Sequence, residues 1–371
     1  MKIEKCLNDS IFINSLSPAC KMCAKGSKLV LLVTGLCPSN CFYCPLSSEK
    51  TSKDVIYADE WKLNNENDTE KIILEAEYID AKGAGITGGD PLFVWKRTKK
   101  YITMLKENFG EDFHIHLYTS GIKNSQYIND LFSAGLDEIR FHPKANDWLN
   151  MEKSRISDII KDTVALDIDV AIEIPIIPNM QNDIISLIKW SDEQGIDWIN
   201  LNELEFSETN AENLKKEGFN VKDDISAAVK GSQESAYNII DNLSNKDIKI
   251  GIHYCSSSFK DGIQLKNRLK RRAKNISKKF DIITKDGTLL KGVIYKKDKN
   301  LGKVYDILIK KFEIKKDYIT INKEKDRIEI ALWILQRIAN ELKKLNIDSY
   351  MIEEYPTADG LEVEKMPLPI R

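Results

Sequence analysis

The stretch Cys37-Pro38-Ser39-Asn40-Cys41-Phe42-Tyr43-Cys44 sets three cysteines at C-x3-C-x2-C spacing, directly after the apolar run 29–33 and just before Pro45. Three thiolates on one loop can hold three irons of a 4Fe–4S cluster. Electron carriers use four cysteines for this, so the fourth iron here lacks a protein ligand from the loop and is open to a small molecule. A zinc knuckle would show paired C-x2-C units, which this spacing does not; a disulfide-prone loop is the other plain alternative. Loops at the ends of parallel strands are where α/β proteins place their chemistry.

Outward from this loop, strand-like runs at 29–34, 84–87, 113–119, 138–141, 170–177, 198–203 and 248–253 alternate with amphipathic segments at 69–81, 96–108, 125–134, 155–166, 183–194 and 232–243. This repetition predicts a parallel sheet with right-handed crossovers. Six or seven units suit a barrel or partial barrel; a closed eightfold barrel and a doubly wound open sheet compete with it. Gly135, Gly195 and Gly218 stand where helices should stop. Residues 208–231 are polar and weakly patterned, as an insertion, a lid or a surface excursion would be. Beyond residue 280 the pattern turns to a hairpin around Asp286-Gly287, then short strands and helices. The organisation read from the chain is an N-terminal segment 1–28, a barrel 29–258, a basic linker helix 259–279 and a small α+β domain 280–371.

Of the 371 residues 42% are hydrophobic, enough for a sizeable core, and a net charge of −2 argues against a whole-molecule polyanion binder. Seven cysteines without a secretory leader pattern predict a reducing, cytoplasmic setting in which thiols bind metals more often than they pair. No stretch approaches the ~20 apolar residues of a membrane span.

Further motifs stand at the strand ends. Gly88-Gly89-Asp90-Pro91 follows the second run, and two glycines allow close backbone approach to a ligand. Thr119-Ser120-Gly121 ends the third run; the Ser120 hydroxyl can bond a ligand or cap the next helix. Period-2 alternation puts Arg140 with His142, Glu173 with Pro175, and Asn200 with Asn202 on common faces. Polar residues inside apolar strands cost energy unless partnered, so their recurrence on successive strands predicts a polar cavity; the pattern alone does not say which face points inward.

The cysteine spacing and its setting resemble the radical S-adenosylmethionine (radical SAM) superfamily, and the chain is similar to an archaeal-type group related to pyruvate formate-lyase activating enzymes. The likeness covers roughly residues 18–280, including 83–91 and 259–262. It implies an open (β/α)6 partial barrel. It implies that Cys37, Cys41 and Cys44 carry a 4Fe–4S cluster whose open iron is chelated by SAM, and that the reduced cluster cleaves SAM to a 5′-deoxyadenosyl radical. Tyr43 would lie near the adenine, and Gly88, Gly89 and Asp90 would seat the SAM amino group. The family's turn usually ends in Glu, and Asp90 replaces it; Ser120 replaces an Asn. Ser120, His142, Glu173 and Asn202 are the further cavity contacts expected.

Three cysteines remain for a second site. Cys20 and Cys23 form a C-x2-C pair before the first strand, Cys255 ends the last one, and Cys6 or His253 is available as a fourth ligand. The group would be a second 4Fe–4S cluster or a zinc ion; buried thiols without a metal are the plain alternative. Residues 260–279 hold nine Lys/Arg against the single acid Asp261. Such a run suits RNA phosphates, an acidic protein or simply solvent, and it lacks the aromatic residues of stacking sites. Three functions follow: radical modification of a peptide, RNA or cofactor precursor; glycyl-radical activation of a partner protein; or a non-enzymatic, metal-stabilised nucleic-acid binder. The first two need an electron donor such as ferredoxin or flavodoxin.

Overall fold

Alternate residues of the strands are wholly apolar: Leu29, Leu31, Ile115, Leu117, Ile139, Phe141, Ile172, Ile174, Ile199, Leu201 and Ile252 are fully buried in one core with helix residues such as Ile160, Leu187 and Ile239. Each such side chain contributes about 1.5–3 kcal/mol on burial. This fixes one sheet face against the helices and turns the polar set to the other face.

The computed structural model describes residues 2–224, 226–295 and 300–369, and the chain divides between Leu265 and Lys266 into two units. The first unit begins with β1 (Glu4–Lys5), β2 (Ile11–Ile13), α1 (Pro18–Ala24), β3 (Lys28–Leu32), β4 (Tyr57–Ala58), β5 (Trp61–Lys62) and α2 (Thr69–Tyr78). It continues through β6 (Gly83–Thr87), α3 (Trp95–Phe109), β7 (His114–Thr119), α4 (Ile128–Phe132), β8 (Glu138–Phe141), α5 (Arg155–Val164), β9 (Asp169–Ile176) and α6 (Gln181–Glu193). Strand β10 (Trp198–Glu203), α7 (Ala211–Lys216), α8 (Ser232–Ser244) and β11 (Gly251–Cys255) complete it.

Strands β3, β6, β7, β8, β9, β10 and β11 are parallel neighbours in that order. This is the expected open (β/α)6 partial barrel with a seventh parallel strand after its sixth unit. Antiparallel β2 and β1 extend the β11 edge, and β4 and β5 extend the β3 edge. The sheet order has two ends, so the barrel stays open. These two short edge pairs carry too few residues to show as strand patterns.

Strand β11 starts three residues later than the apolar run 248–253 predicts. The backbone N–H groups of Lys249 and Ile250 donate to Asp192 Oδ1 at 2.7 and 2.8 Å and are withdrawn from the ladder. The helical pattern 125–134 splits into a 3₁₀ turn, Ser125–Tyr127, and α4. Helix α1 opens with Pro18 behind Ser17, whose Oγ accepts from Cys20 N at 3.1 Å.

The expected basic linker helix is three pieces: a turn Ser257–Phe259, a π-helical stretch Lys260–Leu265 and an α-helix Lys266–Ile276. The first two belong to the barrel unit. In the second unit the antiparallel strands run in the order Ile319–Asn322, Arg327–Ile330, Leu289–Tyr295, Ser349–Glu354, Glu362–Leu368. Helices Leu301–Lys310 and Leu332–Lys344 pack on this sheet through Leu308, Leu335, Ala339 and Leu342. Among the described residues no helix is long and apolar enough to cross a membrane.

Candidate functional site

The inward sheet face lines a cavity of about 740 Å³ reached by residues of all seven parallel strands. Its floor is one chain of hydrogen bonds across four strands. Arg140 Nε donates to Glu138 Oε1 and Arg140 Nη1 to Glu173 Oε2, both at 2.6 Å. Asn202 Nδ2 donates to Glu173 Oε1 at 2.8 Å, Asn200 Nδ2 to Asn202 Oδ1 at 3.2 Å, and His253 Nδ1 to Asn200 Oδ1 at 2.7 Å. The register is what permits this, since Asn200 lies opposite both Glu173 and His253. The structure therefore turns Arg140, His142, Glu173, Asn200 and Asn202 inward and couples most of them to one another. Burial drives His253 down to about 3, with the Arg140 charge adding to it, so its ring is neutral. Lys28, at the edge of the same floor, is lowered to about 7 by burial against the opposing pull of Cys23 and Glu138. It donates to His114 Nδ1 at 2.8 Å and to the carbonyl oxygens of His114 and Ala84 at 2.5 and 3.2 Å.

The cysteine loop leaves β3 and is clamped from two sides. On the β6 side, Gly89 N donates to Thr34 O at 2.7 Å and Asp90 N to Leu36 O at 2.8 Å. A Cβ on Gly88 would stand 2.2 Å from Thr34 O, and one on Gly89 2.2 Å from Leu36 O. Both glycines are thus required for the turn to dock the cysteine loop itself, whatever ligand also meets them. Asp90 is fully buried: its carboxylate accepts from Thr119 Oγ1 (2.8 Å), Ser120 Oγ (2.5 Å), Ser120 N (3.1 Å) and Leu92 N (3.0 Å). The acid and Ser120 are spent on joining the ends of β6 and β7. Desolvation raises the Asp90 pKa against these hydrogen bonds.

On the far side, Asn210 Nδ2 donates to Tyr43 O at 3.0 Å, Thr209 Oγ1 to Leu46 O at 2.9 Å, and Ser48 N to Glu208 Oε1 at 2.9 Å. The segment read from sequence as an insertion or lid is what grips the loop. Tyr43 donates from its hydroxyl to His142 Nε2 at 3.0 Å, because His142 Nδ1 is committed to Glu173 O at 2.7 Å. Between these clamps Cys37 and Cys44 are exposed and Cys41 half-buried. Partial burial pushes the Cys37 thiol up to about 11, with the Ser39 N–H opposing it. Asn210, Thr209 and Lys28 carry no motif, and sequence reasoning missed them; only Lys28, a charge inside an apolar strand, left a trace.

Cys20, Cys23 and Cys255 also line the cavity, with Lys260 and Gln264 beside them, whereas Cys6 does not. Arg140 Nη2 donates to Cys20 Sγ at 3.4 Å and Gln264 Nε2 to Cys255 Sγ at 3.5 Å. Burial raises Cys23 to about 11, chiefly by desolvation with Cys20 adding to it. Among the described residues no three Cys, His, Asp or Glu side chains stand together as a single metal ion would need.

The radical SAM superfamily sequence model matches residues 31–190, which run from β3 into α6, and a domain of unknown function (DUF8061) matches 287–368. A Methanocaldococcus jannaschii protein named "Putative glycyl-radical enzyme activating enzyme" is 41% identical over 378 residues, covering 99% of this chain and 96% of that protein. Among solved structures, Streptococcus suis SuiB bound to the precursor peptide SuiA aligns at a TM-score of 0.46 and 13% identity over 71% of this chain. SuiB bound to S-adenosylmethionine aligns at 0.43 and 11% over 62%. The alignments span 58% and 50% of those two chains. With the cysteine loop at the mouth of an open parallel barrel and a near full-length relative of this kind, the chain belongs to the radical SAM superfamily.

Proposed function

We propose that Cys37, Cys41 and Cys44 hold the 4Fe–4S cluster of this radical SAM enzyme, and that SAM sits between them and the Gly88-Gly89 turn. The donor set fits: three free thiols stand on a loop whose backbone is gripped from both sides while two of the thiols stay exposed. Bound together, cluster and SAM supply a 5′-deoxyadenosyl radical, with the electron coming from a small carrier such as ferredoxin or flavodoxin. The chain's own residues seat and shield it. Tyr43 and His142 fix the loop over the cavity, and Asp90 with Ser120 fixes the turn that faces it. Glu173 and Asn202 present polar groups to whatever lies below.

The observation that carries a substrate-modifying reading is that cavity, large, floored by linked polar side chains and continuous with the cysteine loop. A peptide, RNA or cofactor precursor is the substrate class. Glycyl-radical activation of a partner protein is the second reading, supported by the name of the M. jannaschii relative; it requires a partner loop to enter the same cavity. The non-enzymatic alternative falls with the family assignment. For a macromolecular substrate the basic segment is the candidate contact, although Lys260, Lys266, Lys278 and Lys279 are already paired with Glu205, Asp286, Glu329 and Asp317. Cys20, Cys23 and Cys255 hold a second metal group in this reading, and free thiols with oxygen-labile centres suit a cytoplasmic setting.

Anaerobic reconstitution with a 5′-deoxyadenosine assay tests it. Cys41→Ala should abolish the product; unchanged turnover overturns the assignment. A stable protein radical formed on mixing with a glycyl-radical partner would select the second reading.

A further inference from the structure

His253 and Cys255 are two residues apart on β11, so their side chains share the inward face, and both line the cavity. The His253 Nδ1–H donates to Asn200 Oδ1. Asn200 presents its oxygen there because its Nδ2 donates to Asn202 Oδ1, and Asn202 in turn donates to Glu173. This relay fixes the imidazole tautomer. Its Nε2 is left with a lone pair, has no hydrogen-bond partner, and belongs to a side chain only 5% exposed. An acceptor buried without a partner is unfavourable unless something binds it. A metal-ligating histidine shows this same arrangement, with the outer nitrogen donating to an amide or carboxylate and the inner one free.

Cys20, Cys23 and Cys255 line the same cavity as His253. Cys20 Sγ lies 4.0 Å from the same Asn200 oxygen that His253 binds, and Cys23 follows one turn later on α1. Cys20 and Cys255 each receive an outer donor, from Arg140 and Gln264, as sulfurs ligating a cluster do. A mononuclear ion needs its donors around one point, and among the described residues no three are so placed. A polynuclear cluster takes each donor on a different iron, which keeps the donors apart.

Resting on the second-centre reading above, we infer that this centre is an iron–sulfur cluster ligated by Cys20, Cys23, Cys255 and His253 Nε2. With four protein ligands it offers no open iron, in contrast to the Cys37, Cys41 and Cys44 loop, so it does not bind substrate directly. Histidine in place of a cysteine also raises a cluster's reduction potential.

The test uses the full chain, reconstituted anaerobically with ferrous iron and sulfide and without SAM. The unaltered protein should bind about eight irons and the Cys37→Ala/Cys41→Ala/Cys44→Ala variant about four. An unaltered protein that stops at about four irons, or a triple variant that takes up zinc in place of iron, overturns the second cluster. Pulsed EPR of the reduced, unaltered protein should show a nitrogen coupling that changes on 15N-histidine labelling. The coupling should vanish in His253→Ala, where the cluster signal persists. A second cluster without any histidine coupling overturns the His253 assignment and leaves the three-cysteine centre standing.

Discussion

The Tyr43 hydroxyl donates to His142 Nε2 at 3.0 Å, joining the residue before the third loop cysteine to the end of β8. The sequence has each of them meet the ligand separately, whereas the structure makes them partners. His142 is locked in turn by the Glu173 carbonyl, so the loop's height over the cavity is set at β8 and β9, three and four strands away from β3. Removing the hydroxyl in Tyr43→Phe should cost about 1 kcal/mol of stability. Cluster content should stay near that of the parent, while 5′-deoxyadenosine formation falls about tenfold because the loop is less well placed. Iron analysis beside a product assay measures both.

Gly89→Ala should act on the loop. Its new methyl would stand 2.2 Å from a backbone oxygen, Leu36 O, which cannot swing aside as a side chain would. Reconstituted Gly89→Ala should therefore bind well under half the iron of the parent at the loop. The charge-transfer absorption of the cluster reports this, and full uptake would show that the close approach is not needed.

Asp90→Ala removes the acceptor of four hydrogen bonds at a fully buried position. Two hydroxyls and two backbone N–H groups lose their partner, and each buried polar group left unsatisfied costs about 1–3 kcal/mol. A loss of several kcal/mol, read as a large fall in the denaturant midpoint, is expected. Asp90→Asn keeps part of the acceptor set and should fall between the two.

Arg140→Met should be as damaging. The guanidinium is buried between Glu138 and Glu173, and removing one partner of a buried ion pair costs about 3–5 kcal/mol because the other charges stay behind. The same change breaks the floor relay, so it should also alter any signal from the cysteine at position 20. Equilibrium denaturation measures the first effect.

Asp169 supplies a pH test away from any thiol. Burial, with the negative charge of Asp197 adding to it, raises this carboxyl from 3.8 to about 6. The folded state then holds the proton more tightly than the unfolded chain, so stability falls as pH rises from about 4 to 6 and stays lower above that. Asp169→Asn should stabilise the protein at pH 7–8 and have little effect near pH 4. Because this side chain is partly exposed, the gain should be about 1 kcal/mol, below the full value of the shift. Thermal melts at the two pH values decide it.

The cysteine spacing and the strand–helix alternation are local facts, so the chain alone determined a parallel α/β unit and the loop that carries the thiols, while the open barrel and the radical SAM character came from its resemblance to that superfamily. Period 2 likewise paired Arg140 with His142 and Asn200 with Asn202 before any fold was known. Which side of each strand faces inward depended on where the helices buried Ile139, Ile172 and Leu201, a matter of packing between distant segments. Only the tertiary structure decided that Gly88 and Gly89 seat the loop, that Asp90 is consumed by Ser120, and that Asn210 grips Tyr43 from 167 positions away. Those contacts depend on where the folded chain brings its parts together, and neither spacing nor composition encodes that.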